Sequence, residues 1–415
     1  MTYMETKEAK RILLISHLAI LPATAGNKNR VWTLMNNLRA LGHDVWFMGL
    51  GLKPDEEQEI RKAWGEKLYV VPHVRARDAK PRFEAVRRWV LDRAVSEGWV
   101  TPDLDYRIWP HWDAALRTLA REQKFDVVIV EYVFYSKALL YFEGAVKVID
   151  THDVFTDRAQ KLRARNIKSY YWSMTRKAEA QALGRADIIL AIQKHDAAFF
   201  DELTAGKKQV KIVGHTVALR PLPTTNNTGQ NLLFIGTSYA ANIDGAKYFI
   251  EHVLPLVRER FPEVRLQVVG TVCQALNADI PGVDLMGVVD SLDDAYTRAD
   301  IVVNPVLTGT GLKTKTVEAL GHAKPLVTTA CGAEGIEDAA GVAFLMADEP
   351  AAMAAHISSL LESPSLAADL AQRGFRFAGL WNEAQIETLR GLHGSVGSFA
   401  WKEEPATSTE PVSIR

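Results

Sequence analysis

Residues 304–318 read N-P-V-L-T-G-T-G-L-K-T-K-T-V-E. An apolar run at 301–303 breaks at Pro305 into a glycine-bearing loop, which passes without a stop into a helix-like stretch. A loop of this kind at a helix start presents backbone N–H groups and the positive end of the helix dipole to an anion. Lys313 and Lys315 add two positive charges there, and Glu318 adds one carboxylate about a turn deeper. A diphosphate with a ribose attached needs that set: cations and amides for the phosphates, a carboxylate for the sugar hydroxyls. A surface loop with solvated lysines has the same letters, since short glycine motifs are weak on their own.

Other loops carry the same kind of residue. The run 232–235 ends in Gly236-Thr237-Ser238, with Asn242 near the next helix start; 266–269 ends in Gly270-Thr271; and 283–289 contains Gly287. In the first half, 12–15 ends in Ser16-His17 and leads through Gly26, Asn27 and Lys28 to Arg30. Gly26 allows a positive φ or a close ligand approach, and Asn27 is a candidate helix cap. The run 146–149 ends in Asp150-Thr151-His152-Asp153. A histidine between two acids can hydrogen-bond a sugar hydroxyl or move a proton, although a lone histidine is more often structural.

Such loops need a frame. Apolar runs recur at 12–15, 45–48, 68–71, 127–130, 146–149, 188–192 and 210–213, with amphipathic stretches such as 31–41 and 112–121 between them. Continuous apolar strands alternating with helices predict a parallel sheet covered on both faces. After the polar, proline-bearing stretch 220–229 the pattern restarts at 232–235, 266–269, 301–303, 326–328 and 342–345. The expected fold class is α/β, with two doubly wound parallel-sheet (Rossmann-like) domains facing a central cleft, where ligands sit beyond the carboxyl ends of strands. The expected division is a first domain at 1–222, a second at 223–378, a helix crossing back at 379–401 and a flexible tail at 402–415. Helices are expected near 351–361 and 366–377, with 381–392 packing on the first domain.

The 415 residues, 47% hydrophobic and 24% charged, have the composition of a globular protein of more than one domain. Residues 1–10 lack the apolar core of a secretory signal, and no apolar run of about 18 residues occurs, so the chain is expected to be cytoplasmic. Cys273 and Cys331 read as buried thiols. The net charge of −1 hides an asymmetry: residues 1–220 hold 36 Lys/Arg against 27 Asp/Glu, and 221–415 hold 13 against 23. Basic residues gather at Arg75, Arg77, Lys80, Arg82, Arg87, Arg88 and Arg93, and again over 158–177 with Tyr170, Tyr171 and Trp172. A basic first domain fits peripheral contact with anionic lipid at the inner face of a membrane, although solvated helix faces have the same composition. No nucleic-acid partner is expected.

In this order, the features resemble the family-four retaining glycosyltransferases of the GT-B fold. The resemblance spans about 11–390 and is most specific in G-T-G-L-K-T-K-T-V-E-A-L-G-H-A-K-P-L-V-T-T, followed by Gly332 and Glu334-Gly335. F-I-G-T-S-Y-A-A-N-I-D-G-A, G-V-V-D-S-L-D-D-A-Y-T-R-A-D-I-V-V-N-P, L-R-A-L-G-H-D-V and D-T-H-D support it. The resemblance implies that Glu318 holds the donor ribose as the second glutamate of a Glu-x7-Glu motif, whose first position is Thr310 here. It implies that Lys315, and less securely Lys313, flank the diphosphate, that His152 lies near donor sugar and acceptor, and that Gly26 lies near the diphosphate. Thus His152, Lys315 and Glu318 are the expected catalytic group. Gly26, Gly236, Thr237, Gly270, Gly309, Thr310, Gly311, Leu312 and Lys313 are the expected donor-binding set, and Asn27 and Asp153 the expected acceptor contacts.

The implied reaction moves a sugar from a UDP- or GDP-sugar to a carbohydrate, lipid-linked or natural-product acceptor, with retention. Fixed cations and N–H groups aimed at the leaving phosphate would stabilise its developing charge. No Asp-x-Asp occurs in a suitable loop, so no metal or other cofactor is expected. A sugar-nucleotide 2-epimerase of the same architecture and a non-catalytic subunit with a decayed donor site are the alternatives, the latter because of Thr310. A nicotinamide dehydrogenase is disfavoured, because no G-x-G-x-x-G follows the first strand.

Overall fold

The computed structural model describes residues 9–23, 26–72, 86, 90–91, 93–94, 100, 104–160, 173–222, 230–277, 279–309 and 311–392. The first domain runs β1 (Arg11–Ser16), α1 (Gly26–Ala40), β2 (Asp44–Leu52), α2 (Pro54–Trp64), β3 (Leu68–Pro72), α3 (Pro110–Glu122), β4 (Val127–Glu131), β5 (Val146–Asp150), α4 (Arg176–Leu183), β6 (Ile188–Ala191), α5 (Lys194–Leu203) and β7 (Gln209–Ile212). Its strands pair in parallel in the order β3-β2-β1-β4-β5-β6-β7. Alternate residues serve opposite faces, as the pleat requires. Leu13, Ile15, Val128 and Val130 pack with Trp112 and Leu116 of α3, whereas Ile12, Leu14, Val127 and Ile129 pack with Val31, Leu34 and Met35 of α1. The strands therefore bury both faces, and their near-continuous apolar runs follow from that.

The second domain repeats the plan with β8 (Asn231–Ile235), α6 (Ala240–Tyr248), α7 (Leu254–Arg260), β9 (Arg265–Val269), β10 (Val283–Gly287), α8 (Leu292–Arg298), β11 (Ile301–Asn304), α9 (Thr314–Gly321), β12 (Leu326–Thr328), β13 (Leu345–Met346) and α10 (Pro350–Glu362). Its order is β10-β9-β8-β11-β12-β13, again all parallel. The strand order reverses between β1 and β4 in one sheet and between β8 and β11 in the other. Those are the switch points at which doubly wound sheets bind ligands.

Several sequence expectations change. The run 342–345 is mostly a turn: Gly341 takes φ 78°, Val342 is 59% exposed, and the strand is Leu345–Met346. The two helices expected over 366–392 are one, α11 (Pro364–Arg390), entered through Pro364 with Ser363 Oγ accepting from the Leu366 N–H at 3.3 Å. Asn27 is no cap, because α1 already starts at Gly26. Cys273 and Cys331 are not joined in a disulfide and are only half-buried. Residues 161–172 and the basic positions Arg75, Arg77, Lys80, Arg82, Arg87 and Arg88 lie outside the described residues, as does the tail. Among the described residues no helix is long and apolar enough to cross a membrane.

α11 joins the domains. Ala378 sits in a core of the second domain, while Leu389 and Leu392 complete a core of the first. Between them Trp381 donates from Nε1 to the His215 carbonyl at 2.8 Å, Asn382 brackets the backbone of Val217, and Gln385 Oε1 accepts from the Gly214 N–H at 2.7 Å. Trp381 lies so close to the chain that a Cβ at Gly214 would come within 2.2 Å of its ring. The helix thus seals the strand β7 exit by backbone contact that only glycine permits.

Candidate active site in the interdomain cleft

On the first-domain side, Glu131 and Asp150 end β4 and β5 and face each other in register. Both are fully buried. Arg30, brought by α1, grips Asp150 with Nε at 2.8 Å from Oδ2 and Nη2 at 2.5 Å from Oδ1. A buried carboxylate needs such a partner, since an unpaired charge in a dry interior is very costly. His152 places Nε2 2.5 Å from Glu131 Oε2 and 3.6 Å from Asp150 Oδ2. Its ring stacks on Tyr132 with centroids 4.1 Å apart and planes 9° from parallel, and Asn27 Nδ2 donates to the Tyr132 hydroxyl at 3.1 Å. Burial pushes His152 down to about 4, against the pull of Asp150, and pushes Glu131 well up, helped by Asp150. Tyr132 and His152 both have left-handed backbones, φ 68° and 61°.

Glu131, Asp150 and His152 offer ligand atoms within 4.8 Å of one another, a spacing that a metal ion could use. Arg30 already occupies both Asp150 oxygens and supplies the local positive charge. The donor set fits an internal ion pair better than a divalent cation, which needs several free oxygens.

On the second-domain side, α9 starts in the cleft at the end of the loop from β11. Lys315 donates to Asn242 Oδ1 at 2.6 Å and lies 4.7 Å above the Phe234 ring, while Asn242 donates on to the Thr237 carbonyl and hydroxyl. Burial brings Lys315 down to about 7, with Glu318 opposing and Lys313 adding to the shift. Glu318 is raised by burial, against Lys315 and a hydrogen bond from Asn29. Its Oε1 lies 3.4 Å from Asn29 Nδ2 of α1 and 3.8 Å from His215 Nε2 beyond β7. The carboxylate therefore touches the first domain from two directions.

The structure draws Gly26, His152 and the loop before α9 together. A Cβ at Gly26 would lie 3.6 Å from Thr314 Oγ1, and one at Gly311 would lie 3.8 Å from the His152 carbonyl. Gly236 and Gly270 form a neighbouring wall: Gly270 takes φ 105°, and a Cβ there would lie 2.2 Å from the Gly236 carbonyl. The Gly270 requirement is met by packing before any ligand arrives. Lys313 instead turns to the Gly311 carbonyl at 2.6 Å and Glu334 at 3.1 Å, with Gly309 beside it. Leu312 anchors the loop in the second-domain core. Asp153 pairs with Arg158 at 2.8 Å and accepts from the Val154 N–H. Thr310 lies outside the described residues. Sequence reasoning gave no role to Glu131, Asn29 or His215, and marked Asn242 only by its place near a helix start. Glu131 had a signal, a carboxylate closing an otherwise apolar strand; Asn29 and His215 had none, because only interdomain packing puts them beside Glu318.

Residues 229–363 match the family model described as Glycosyl transferases group 1. A sucrose-phosphate synthase from Thermosynechococcus elongatus superposes with a TM-score of 0.67 at 15% identity, over 92% of this chain and 98% of that one. HepE from Anabaena, in complex with UDP and glucose, superposes with a TM-score of 0.61 at 13% identity, over 92% of this chain and 99% of that one. Identities so low establish the shared fold. An uncharacterized 44.6 kDa protein in the cps region of Klebsiella pneumoniae is 21% identical over 392 residues, covering 88% of this chain and 95% of that protein. The superpositions give the chain the GT-B architecture, and the family-model match gives it a glycosyltransferase domain. The second domain is its Glycosyl transferases group 1 domain.

Proposed function

We propose that the chain transfers a sugar from a UDP- or GDP-sugar to a carbohydrate or lipid-linked acceptor in surface-glycan assembly. The observation that carries this reading is that Lys315 and Glu318 share the start of α9, with Glu318 reaching Asn29 of α1 and the loop before α9 lying against the His152 backbone. In this reading Lys315 meets a leaving diphosphate, Glu318 a ribose, and His152 the transferred sugar or its acceptor. The UDP and glucose complex of HepE and the cps-region relative support a UDP-sugar and a glycan product. We propose transfer without a metal, with Lys315 and the α9 amides taking the charge of the leaving phosphate. Retention of configuration belongs to the same proposal, as does a cytoplasmic location with the basic first domain against the inner membrane face.

Calorimetric titration of UDP and GDP into the wild type and Glu318→Ala, with and without a chelator, tests the donor site. Binding of one nucleotide, unaffected by chelator and lost in the variant, is expected; no binding of any nucleoside diphosphate would sink the reading. The carboxylates beside His152 also suit a sugar-nucleotide 2-epimerase. Product analysis with donor alone separates the two, since an epimerase turns over without an acceptor.

A further inference from the structure

Glu131 is a buried acid that the donor site does not use. It lies at the end of β4 against His152, with Arg30 from α1, Asp150 from β5, and Tyr132, Asp153 and His17 as the other ionisable groups around the pair. We propose that Glu131 is a positioning residue that holds His152 through one shared proton between Oε2 and Nε2, leaving Nδ1–H as the imidazole donor available to a bound sugar or acceptor. The assignment of that donor to a sugar rests on the glycosyltransferase reading; the proton arrangement does not.

Three observations carry it. Arg30 is committed to both oxygens of Asp150, so that ion pair is already neutral. Glu131 keeps one oxygen, Oε1, without a hydrogen-bond partner while fully buried, which an ionised carboxylate tolerates poorly and a carboxylic acid tolerates better. The acid then donates Oε2–H to Nε2 across 2.5 Å, and a neutral imidazole that accepts at Nε2 must carry its hydrogen on Nδ1. The direction of the pKa shifts agrees, up for Glu131 and down for His152. Finally, the two strand ends adopt left-handed backbones at the non-glycine residues Tyr132 and His152, and Tyr132 stacks on the imidazole. Such backbones are costly for non-glycine residues and persist where the surroundings over-determine the geometry.

The test is nitrogen-15 NMR of the ligand-free, histidine-labelled full chain at pH 7, with His152 assigned by the signals lost in His152→Gln. The expected spectrum has a protonated Nδ1 and an unprotonated Nε2 that do not titrate down to about pH 5, as a depressed pKa requires. Glu131→Gln, whose amide can still donate to Nε2, keeps this tautomer; Glu131→Leu, which offers Nε2 no donor, mixes the tautomers. An imidazolium or an Nε2–H tautomer in the wild type overturns the proposal, as does a Glu131→Leu spectrum identical to it. Should Glu131→Leu not fold, the wild-type tautomer still decides. In turnover assays Glu131→Leu is expected to lower kcat by about tenfold or more with UDP affinity unchanged, the signature of a lost transition-state contact. Because the spectrum needs no nucleotide, its outcome stands apart from a failure of UDP to bind.

Discussion

Lys315 shows how a residue acquires chemistry from its position. An exposed lysine is a fully hydrated ammonium, whereas here burial brings it to about 7, so near neutral pH it is half charged before any phosphate arrives. A bound diphosphate favours the ammonium and raises that pKa, so binding must take up a proton above pH 7. Titrating UDP in buffers of different ionisation enthalpy at pH 8 is expected to show this uptake, vanishing near pH 5.5 and absent in Lys315→Met. Affinity should accordingly weaken as pH rises through 7, by up to about tenfold per unit. Lys313 and Lys315 are indistinguishable as letters in the sequence. The structure separates them, since Lys313 is neutralised by Glu334 while Lys315 faces the wall that ends β8.

At the scale of elements, the apolar runs of the first domain become its strands because a parallel sheet buried on both faces leaves few alternatives. The run 342–345 misleads for a local reason: Gly341 turns the chain and leaves Val342 in solvent. α11 is the element on which the two domains depend together. Gly214→Ala would drive a methyl into Trp381 and should cost about 1–3 kcal/mol in urea-unfolding free energy by overpacking. Combined with Trp381→Ala, which is itself destabilising, the total loss should be smaller than the sum of the two single losses, and strict additivity would contradict this packing. The single helix from 364 to 390 was read as two because its apolar stripe changes partners near Ala378. One helix face serves two cores, and a pattern of letters does not say which core each turn meets.

For the whole molecule, the cleft is bridged among the described residues by α11 and the segment after β7, by Asn29 against Glu318, and by the start of α5. There Gln193 Nε2 reaches both Asp196 and Glu334, and Lys194 pairs with Asp338. Burial, then the charge of Asp153, raises Asp196 to about 7, with Gln193 opposing. A raised acid holds its proton in the folded chain after the unfolded chain has lost it. Its contribution is therefore complete below the ordinary aspartate pKa and is lost as pH rises toward 7. Asp196→Asn should match the wild type near pH 4 and melt at a higher temperature at pH 8, checked by thermal scans across that range. Equal melting differences at both pH values would count against a protonated Asp196 at this junction.

Residue types and their order along the chain were enough to predict two doubly wound domains and to single out the loop before α9 with Lys315, Glu318 and His152, because hydrophobic period and loop chemistry are local properties. Tertiary structure alone decided that Asn29 and His215 meet Glu318, that Asn242 receives Lys315 and that Glu131 holds His152. Those contacts join residues from about 20 to nearly 290 positions apart. Which buried charge finds which partner depends on how the two sheets face each other, and no local pattern encodes that geometry.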